Sequence, residues 1–293
     1  MITTTLIIAS TLLAAPPQRT LSELQANAPP IPYEWHQYRF MTNGGPKVIA
    51  CRLFVPRSTE PKKRYPLLVW LEHTDAPEWS QLKRLFGPDY AHLKLEKYPF
   101  FILLLPWERP LNRYVEGDPQ VLDAYLACKS IQKTTREHPI DPDRVYLAGT
   151  SRGAVRSWEM AMRYPELFAA LVPMGSPRVY VPRADKLKAI PIWAFHNSDD
   201  KVVPADGDLE MTEAVKNVGG TILLTLPPSR EHDCCTTAFQ KYDVMAWMLE
   251  QRRGAVCWTP PGYPPWKWWH ILLLPCAALG SVRLVWHFRQ KRR

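Results

Sequence analysis

The sequence predicts an α/β fold, with a mostly parallel central sheet and helices on both faces. Three observations carry that expectation. Pro66 to Leu71 and Phe100 to Leu105 are near-continuous apolar runs, the pattern of parallel strands covered on both sides. Strand-like segments then alternate with segments of helical period, which implies crossover connections and a sheet between helical layers. Finally, Arg144 to Ala148 is a strand-type run that passes through Gly149-Thr150-Ser151-Arg152-Gly153 directly into a helical pattern.

Each element follows from a local signal. Trp35 to Met41 and Lys47 to Val55 alternate and flank Asn43-Gly44-Gly45-Pro46, which reads as an antiparallel hairpin. Between the first two parallel strands, Trp79 to Phe86 has the pattern of a short helix. Asp118 to Arg136 reads as a long amphipathic helix with Val121, Leu122, Tyr125, Leu126 and Ile131 on its apolar side. After the glycine turn, Ala154, Trp158, Ala161 and Met162 recur at three and four residues, and Tyr164-Pro165 closes that helix. Phe168 to Pro173, Ile190 to Phe195 and Thr221 to Leu226 are the remaining strands. Leu209 to Asn217 and Thr236 to Arg252 are the remaining helices.

Strand, G-x-S-x-G and helix in this order form the context of a nucleophile elbow. A serine in so sharp a turn needs neighbours two residues away that have almost no side chain, and Gly149 and Gly153 supply them. The helix that follows aims its N–H groups and positive dipole end at the same spot, where an oxyanion would be stabilised. Serine alone is a weak nucleophile and needs a histidine base oriented by a carboxylate. With this architecture the acid and then the base follow on later strand ends, at the edge where the serine emerges. The loops after Phe195 and Leu226 carry Asp200 and His232. His196 is a rival base, but its spacing from the acid is too local, and it reads instead as a strand cap that shapes the acid loop.

Composition narrows the alternatives. The chain has 293 residues and a formal charge of +9. No acidic residue follows Glu250, whereas eight basic residues do, so the body is nearly neutral and no nucleic-acid surface is expected. The six cysteines show neither C-x-x-C nor zinc-type Cys/His spacing, so no metal is expected and most read as buried thiols.

From about Tyr65 to Arg252 the chain resembles the α/β-hydrolase superfamily. Within it, the likeness is to exported esterases related to polyhydroxybutyrate depolymerases and to feruloyl and acetyl-xylan esterases, a group often labelled predicted peptidases. Trp158-Glu159 and Arg163 to Ala170 match the W-E and R-Y-P-E-L-F-A-A that follow the group's G-x-S-x-G. His196 to Pro204 match its H-G-x-x-D-x-x-V-P loop with Asn197 in place of glycine, which puts the acid on Asp200 rather than Asp199. His232-Asp233 match its H-D-x-W-like stretch, with Cys235 where tryptophan is usual. The resemblance implies a cofactor-free serine hydrolase of carboxylic esters with Ser151, His232 and Asp200 as its triad. A serine peptidase and a hydrolase-like binding protein are the alternatives.

One departure stands out. Where the group has H-G after the third strand, this chain has Leu71-Glu72-His73-Thr74-Asp75. The Arg152 N–H is expected as one oxyanion donor and the Thr74 N–H as the other. Losing such a donor costs about 3 kcal/mol of transition-state stabilisation.

The chain ends carry a different expectation. Residues 1–15 have signal-peptide length and small residues before Pro16-Pro17, and read as a signal peptide or N-terminal anchor. The catalytic domain is expected over residues 33–253 and a proline-rich spacer over 254–265. Residues 266–293 form an apolar segment edged by tryptophans, with a basic end. That pattern predicts an exported, extracytoplasmic protein held at a membrane by its tail.

Overall fold

The computed structural model describes residues 33–42, 45–56, 59–71, 98–105, 119–179 and 181–254. The N-terminal segment, the Trp79 to Phe86 helix, the loop with Glu72, His73 and Thr74, the spacer beyond Gly254 and the apolar tail lie outside these residues. Among the described residues, no helix is long and apolar enough to cross a membrane.

The strands are β1 (Tyr33–Thr42), β2 (Gly45–Phe54), β3 (Tyr65–Leu71), β4 (Phe101–Leu105), β5 (Ile140–Thr150), β6 (Ala170–Met174), β7 (Ile192–Phe195) and β8 (Ile222–Thr225). They form one sheet in the order β1-β2-β4-β3-β5-β6-β7-β8. The hairpin β1–β2 is antiparallel and joins β4 antiparallel, while every later pairing is parallel. The helices are α1 (Pro119–Glu137), α2 (Arg152–Arg163), α3 (Asp206–Asn217), α4 (Cys235–Lys241) and α5 (Val244–Glu250). This is the fold class that the alternation of strands and helices predicts.

Period two on the strands sorts the side chains into two cores. Leu67, Val69 and Leu71 of β3, with Val145 and Leu147 of β5, pack against α1, α2 and α3. Leu68, Trp70, Tyr146 and Ala148 point the other way, against α4 and α5. The central strands are thus apolar on both faces, which is why β3 and β4 appear in the sequence as unbroken apolar runs.

Three local expectations are corrected. Tyr125 is 43% exposed, whereas Leu126 and Ile131 are buried as expected, together with Ala124, Ala127 and Cys128. Small residues let the helix approach the sheet closely, and the Tyr125 ring stays outside under the Lys129 ammonium at 5.4 Å. The helix expected over Thr236 to Arg252 is two helices. Asp243 between them adopts left-handed angles, φ 47° and ψ 50°, which Asp tolerates better than most residues, and its carboxylate accepts the Tyr98 hydroxyl at 2.8 Å. A helical turn at Val181–Leu187 was not expected at all. Cys51, Cys128, Cys234 and Cys235 are buried free thiols, as their spacing suggested.

Candidate active site

Ser151 stands between the end of β5 and the first residue of α2, with φ 52° and ψ −121°. A β-carbon there is costly, so the conformation persists only because its surroundings enforce it. A Cβ on Gly149 would lie 2.4 Å from the Gly153 carbonyl oxygen, and one on Gly153 would lie 2.3 Å from the Leu71 carbonyl oxygen. Both glycines are therefore required by contact rather than by flexibility. The Ser151 N–H donates to the Met174 carbonyl on β6 at 2.8 Å, and the Ser151 carbonyl accepts from Ala154 and Val155 as α2 begins.

Asp200 lies in the loop after β7 and His232 in the loop after β8, on the edge of the sheet where Ser151 emerges. His232 Nδ1 lies 2.6 Å from Asp200 Oδ2. Asp200 Oδ1 accepts the backbone N–H groups of Val202 at 2.8 Å and Val203 at 2.9 Å. Burial alone would raise the Asp200 pKa, but the His232 hydrogen bond and the two N–H donors outweigh it and hold the carboxyl below its ordinary value. Since an ionised carboxylate only accepts, His232 donates to it from Nδ1, which leaves Nε2 as the ring nitrogen not engaged by Asp200. Its ring also reaches the serine's side of the sheet: its Cε1 lies 3.5 Å from where a Cβ on Gly175 would stand, next to Met174.

The two loops are fastened to each other. Ser198 N–H donates to the Pro227 carbonyl, Asp199 N–H to Ser229 and Lys201 N–H to Arg230, at 2.9, 3.1 and 3.3 Å. Asn197, the residue that replaces glycine in the motif, is buried and donates from its side chain to the Glu231 carbonyl at 2.6 Å. The substitution thus adds a tie between the acid loop and the residue before His232. Asp233 closes the base loop by accepting the N–H groups of Cys235 and Thr236 at the start of α4.

The remaining sequence candidates fall out as follows. Arg152 is the first residue of α2, and its side chain is exposed. Asp199 is exposed beside Lys201, without contact to His232 in the hydrogen bonds above. His196 is fully buried, with Nδ1 2.7 Å from Asp208 Oδ2 and Nε2 2.9 Å from the Val203 carbonyl, so neither nitrogen is available as a base for Ser151. Thr74 lies outside the described residues. Among the described residues, no group of His, Cys, Asp and Glu side chains is arranged to hold a metal ion. Sequence reasoning missed Asp208, on the first turn of α3, because nothing in its spacing from His196 marks it as a partner.

No protein-family model matches the chain, and no curated protein sequence does. Solved structures do. A thermostable esterase is 26% identical with a TM-score of 0.61, over 75% of this chain and 63% of that one. An acylaminoacyl peptidase from Pyrococcus horikoshii is 13% identical with a TM-score of 0.57, over 78% of this chain and 43% of that one. A ferulic acid esterase from Anaeromyces mucronatus, solved with ferulic acid, is 15% identical with a TM-score of 0.56, over 74% of this chain and 91% of that one. The chain thus spans less than two thirds of the first two. Strand order, serine turn and structural likeness agree: the chain has the α/β-hydrolase fold and is related by structure to esterases and peptidases built on it.

Proposed function

We propose that the chain is a serine hydrolase of carboxylic esters, working through an acyl-enzyme. The observation that carries this reading is the 2.6 Å bond from His232 Nδ1 to Asp200, at the sheet edge where Ser151 is held at φ 52°. Ser151 Oγ attacks the ester carbonyl while His232 Nε2 takes the hydroxyl proton, and the negative charge moves to the carbonyl oxygen. The Arg152 and Thr74 backbone N–H groups receive that oxyanion. Collapse expels the alcohol, which takes the proton from His232, and water repeats the cycle to release the acid. Asp200 fixes the imidazole tautomer and stabilises its transient positive charge.

Esters are preferred over amides because two of the three solved structures above are esterases. A peptidase is the second reading, favoured by the likeness to the acylaminoacyl peptidase. The apolar, tryptophan-edged tail supports a further element of the proposal, that an exported catalytic body is tethered to a membrane through residues 266–293. The deciding experiment is labelling with a fluorophosphonate probe beside turnover of p-nitrophenyl acetate. Ser151→Ala should abolish both with little change in thermal stability. Labelling that survives the substitution would remove the serine from the mechanism.

A further inference from the structure

Behind the triad lies a second histidine and carboxylate that the reaction does not consume. His196 has no exposed surface, and both of its ring nitrogens face oxygen atoms that accept. Nε2 faces the Val203 carbonyl, which can only accept, so this nitrogen carries a proton. Nδ1 faces Asp208 Oδ2, which also accepts the Ser176 N–H at 3.0 Å. Nε2 is in addition 3.6 Å from Asp200 Oδ2, the same oxygen that binds His232. The ring therefore sits between two carboxylates.

We infer that His196 and Asp208 form a buried ion pair whose imidazolium faces Asp200, so that both are positioning residues for the triad acid. This rests on the triad assignment above. A proton on Nδ1 places a cation between two anions, whereas the same proton on Asp208 would leave Asp200 facing a neutral ring. Burial alone lowers the His196 pKa, but the Asp208 hydrogen bond, the Val203 carbonyl and the charges of Asp208 and Asp200 outweigh it and hold the ring above its ordinary value. Burial also holds the Asp208 carboxyl above its ordinary value, against the His196 bond and the Ser176 N–H, so the charge of the pair is placed by the second carboxylate at 3.6 Å and the acceptors on both ring nitrogens. The groups facing the couple come from every surrounding element: Asp200 and Val203 from the acid loop, Asp208 from α3, and Ser176 from the loop after β6. Trp158 of α2 approaches Asp208, and Cys234 of the base loop lies within reach of both carboxylates as a neutral thiol, with His232 and Asp233 beside it.

The consequence for the reaction has a sign. A cation behind Asp200 opposes the second positive charge that the reaction places on the base. Removing it moves the acid limb of the kcat/KM profile upward. In Asp208→Asn, shape is kept while the anion that holds the His196 proton is gone, so the limb should rise by about half a pH unit. A purely structural role would lower kcat and leave the limb in place, and an unmoved limb in the folded variant overturns the inference.

A second measurement does not depend on activity or on Asp208→Asn, and takes a folded His196→Asn only to assign the signal. Nitrogen-15 spectra of histidine-labelled protein at about pH 6.5, the ordinary histidine value, should show one imidazole predominantly with both nitrogens protonated, a signal absent from His196→Asn. A single N–H on His196 at that pH overturns the ion pair. The triad assignment fails separately: if Ser151→Ala still labels with the fluorophosphonate, the positioning role falls with it, while the nitrogen spectra continue to report the charge of His196.

Discussion

The turn that carries Ser151 and the two loops that carry Asp200 and His232 meet at one edge of the sheet but are held there by opposite means. The serine turn is fixed by exclusion: two glycines leave no room for any other path, and the backbone of β3 and α2 closes on them. The acid and base loops are fixed by attachment, through a ladder of backbone hydrogen bonds, the Asn197 side chain and the His196–Asp208 couple. Exclusion depends on the absence of side chains and is insensitive to protons. Attachment depends on particular polar atoms, some of which titrate. One site thus contains a part that tolerates no added volume and a part that tolerates no lost partner.

The contrast is sharpest in turnover. Asp200→Asn should lower kcat by about four decades, equivalent to about 5.5 kcal/mol, because an amide no longer dictates the His232 tautomer. Asp199→Asn should change it less than about twofold, since an exposed charge beside Lys201 contributes little. Kinetics on both variants with an activated ester decide the matter, and the reverse order would move the acid by one residue.

Gly153→Ala tests the other half. Its new Cβ would stand 2.3 Å from the Leu71 carbonyl, which is backbone and cannot swing aside. Stability should fall by about 3 kcal/mol or more, measured as the midpoint of urea unfolding. An alanine accommodated without loss would show that the turn is not held by exclusion.

Acid and base should then separate the two regions more gently. His196 has a raised pKa in the folded protein, so its stabilisation is complete below about pH 6.5 and is lost as pH rises through the folded value. Asp200 has a lowered pKa, so its contribution is present above about pH 3.9 and is lost as pH falls through the folded value. Unfolding midpoints against pH should decline at both ends, and Asp208→Asn should flatten the alkaline decline.

The smallest effect belongs to the surface. Arg253 reaches Asp143 with two nitrogens at 3.1 and 2.7 Å, both partners being exposed. Arg253→Ala should cost less than about 1 kcal/mol in the same unfolding measurement and leave turnover unchanged.

The two means of holding the site also explain what could be read in the chain. A turn held by exclusion writes itself as G-x-S-x-G, because only glycine satisfies the contacts at residues 149 and 153. Strand runs such as Leu67 to Leu71 are equally legible, since burial on both faces demands apolar residues throughout. Asp208 is not legible, because a hydrogen bond between a strand end and the next helix leaves no fixed spacing. Asn197 was visible only as a departure from a pattern, and its bond to Glu231 depends on how two distant loops meet. Tyr125 and Asp243 misled for a related reason. Helical period does not say which way a helix rolls against the sheet, nor that a single left-handed residue will divide one helix into two.

Residues 251–253, close to the last described residue, are pinned to β5. Arg253 N–H donates to the Asp143 carbonyl at 2.9 Å, Arg252 pairs with Asp141 at 3.1 Å, and the Gln251 carbonyl accepts the Tyr146 hydroxyl at 3.0 Å. All three partners lie on the early and middle part of β5, whose other end delivers Ser151. At about 3.3 Å per residue, the strand separates Asp143 from the serine by roughly 25 Å. These contacts place Arg253 at the end of β5 opposite Ser151. Any surface that grips the protein close behind Arg253 would hold it like a lamp on a stem, with Ser151 at the far end of the strand.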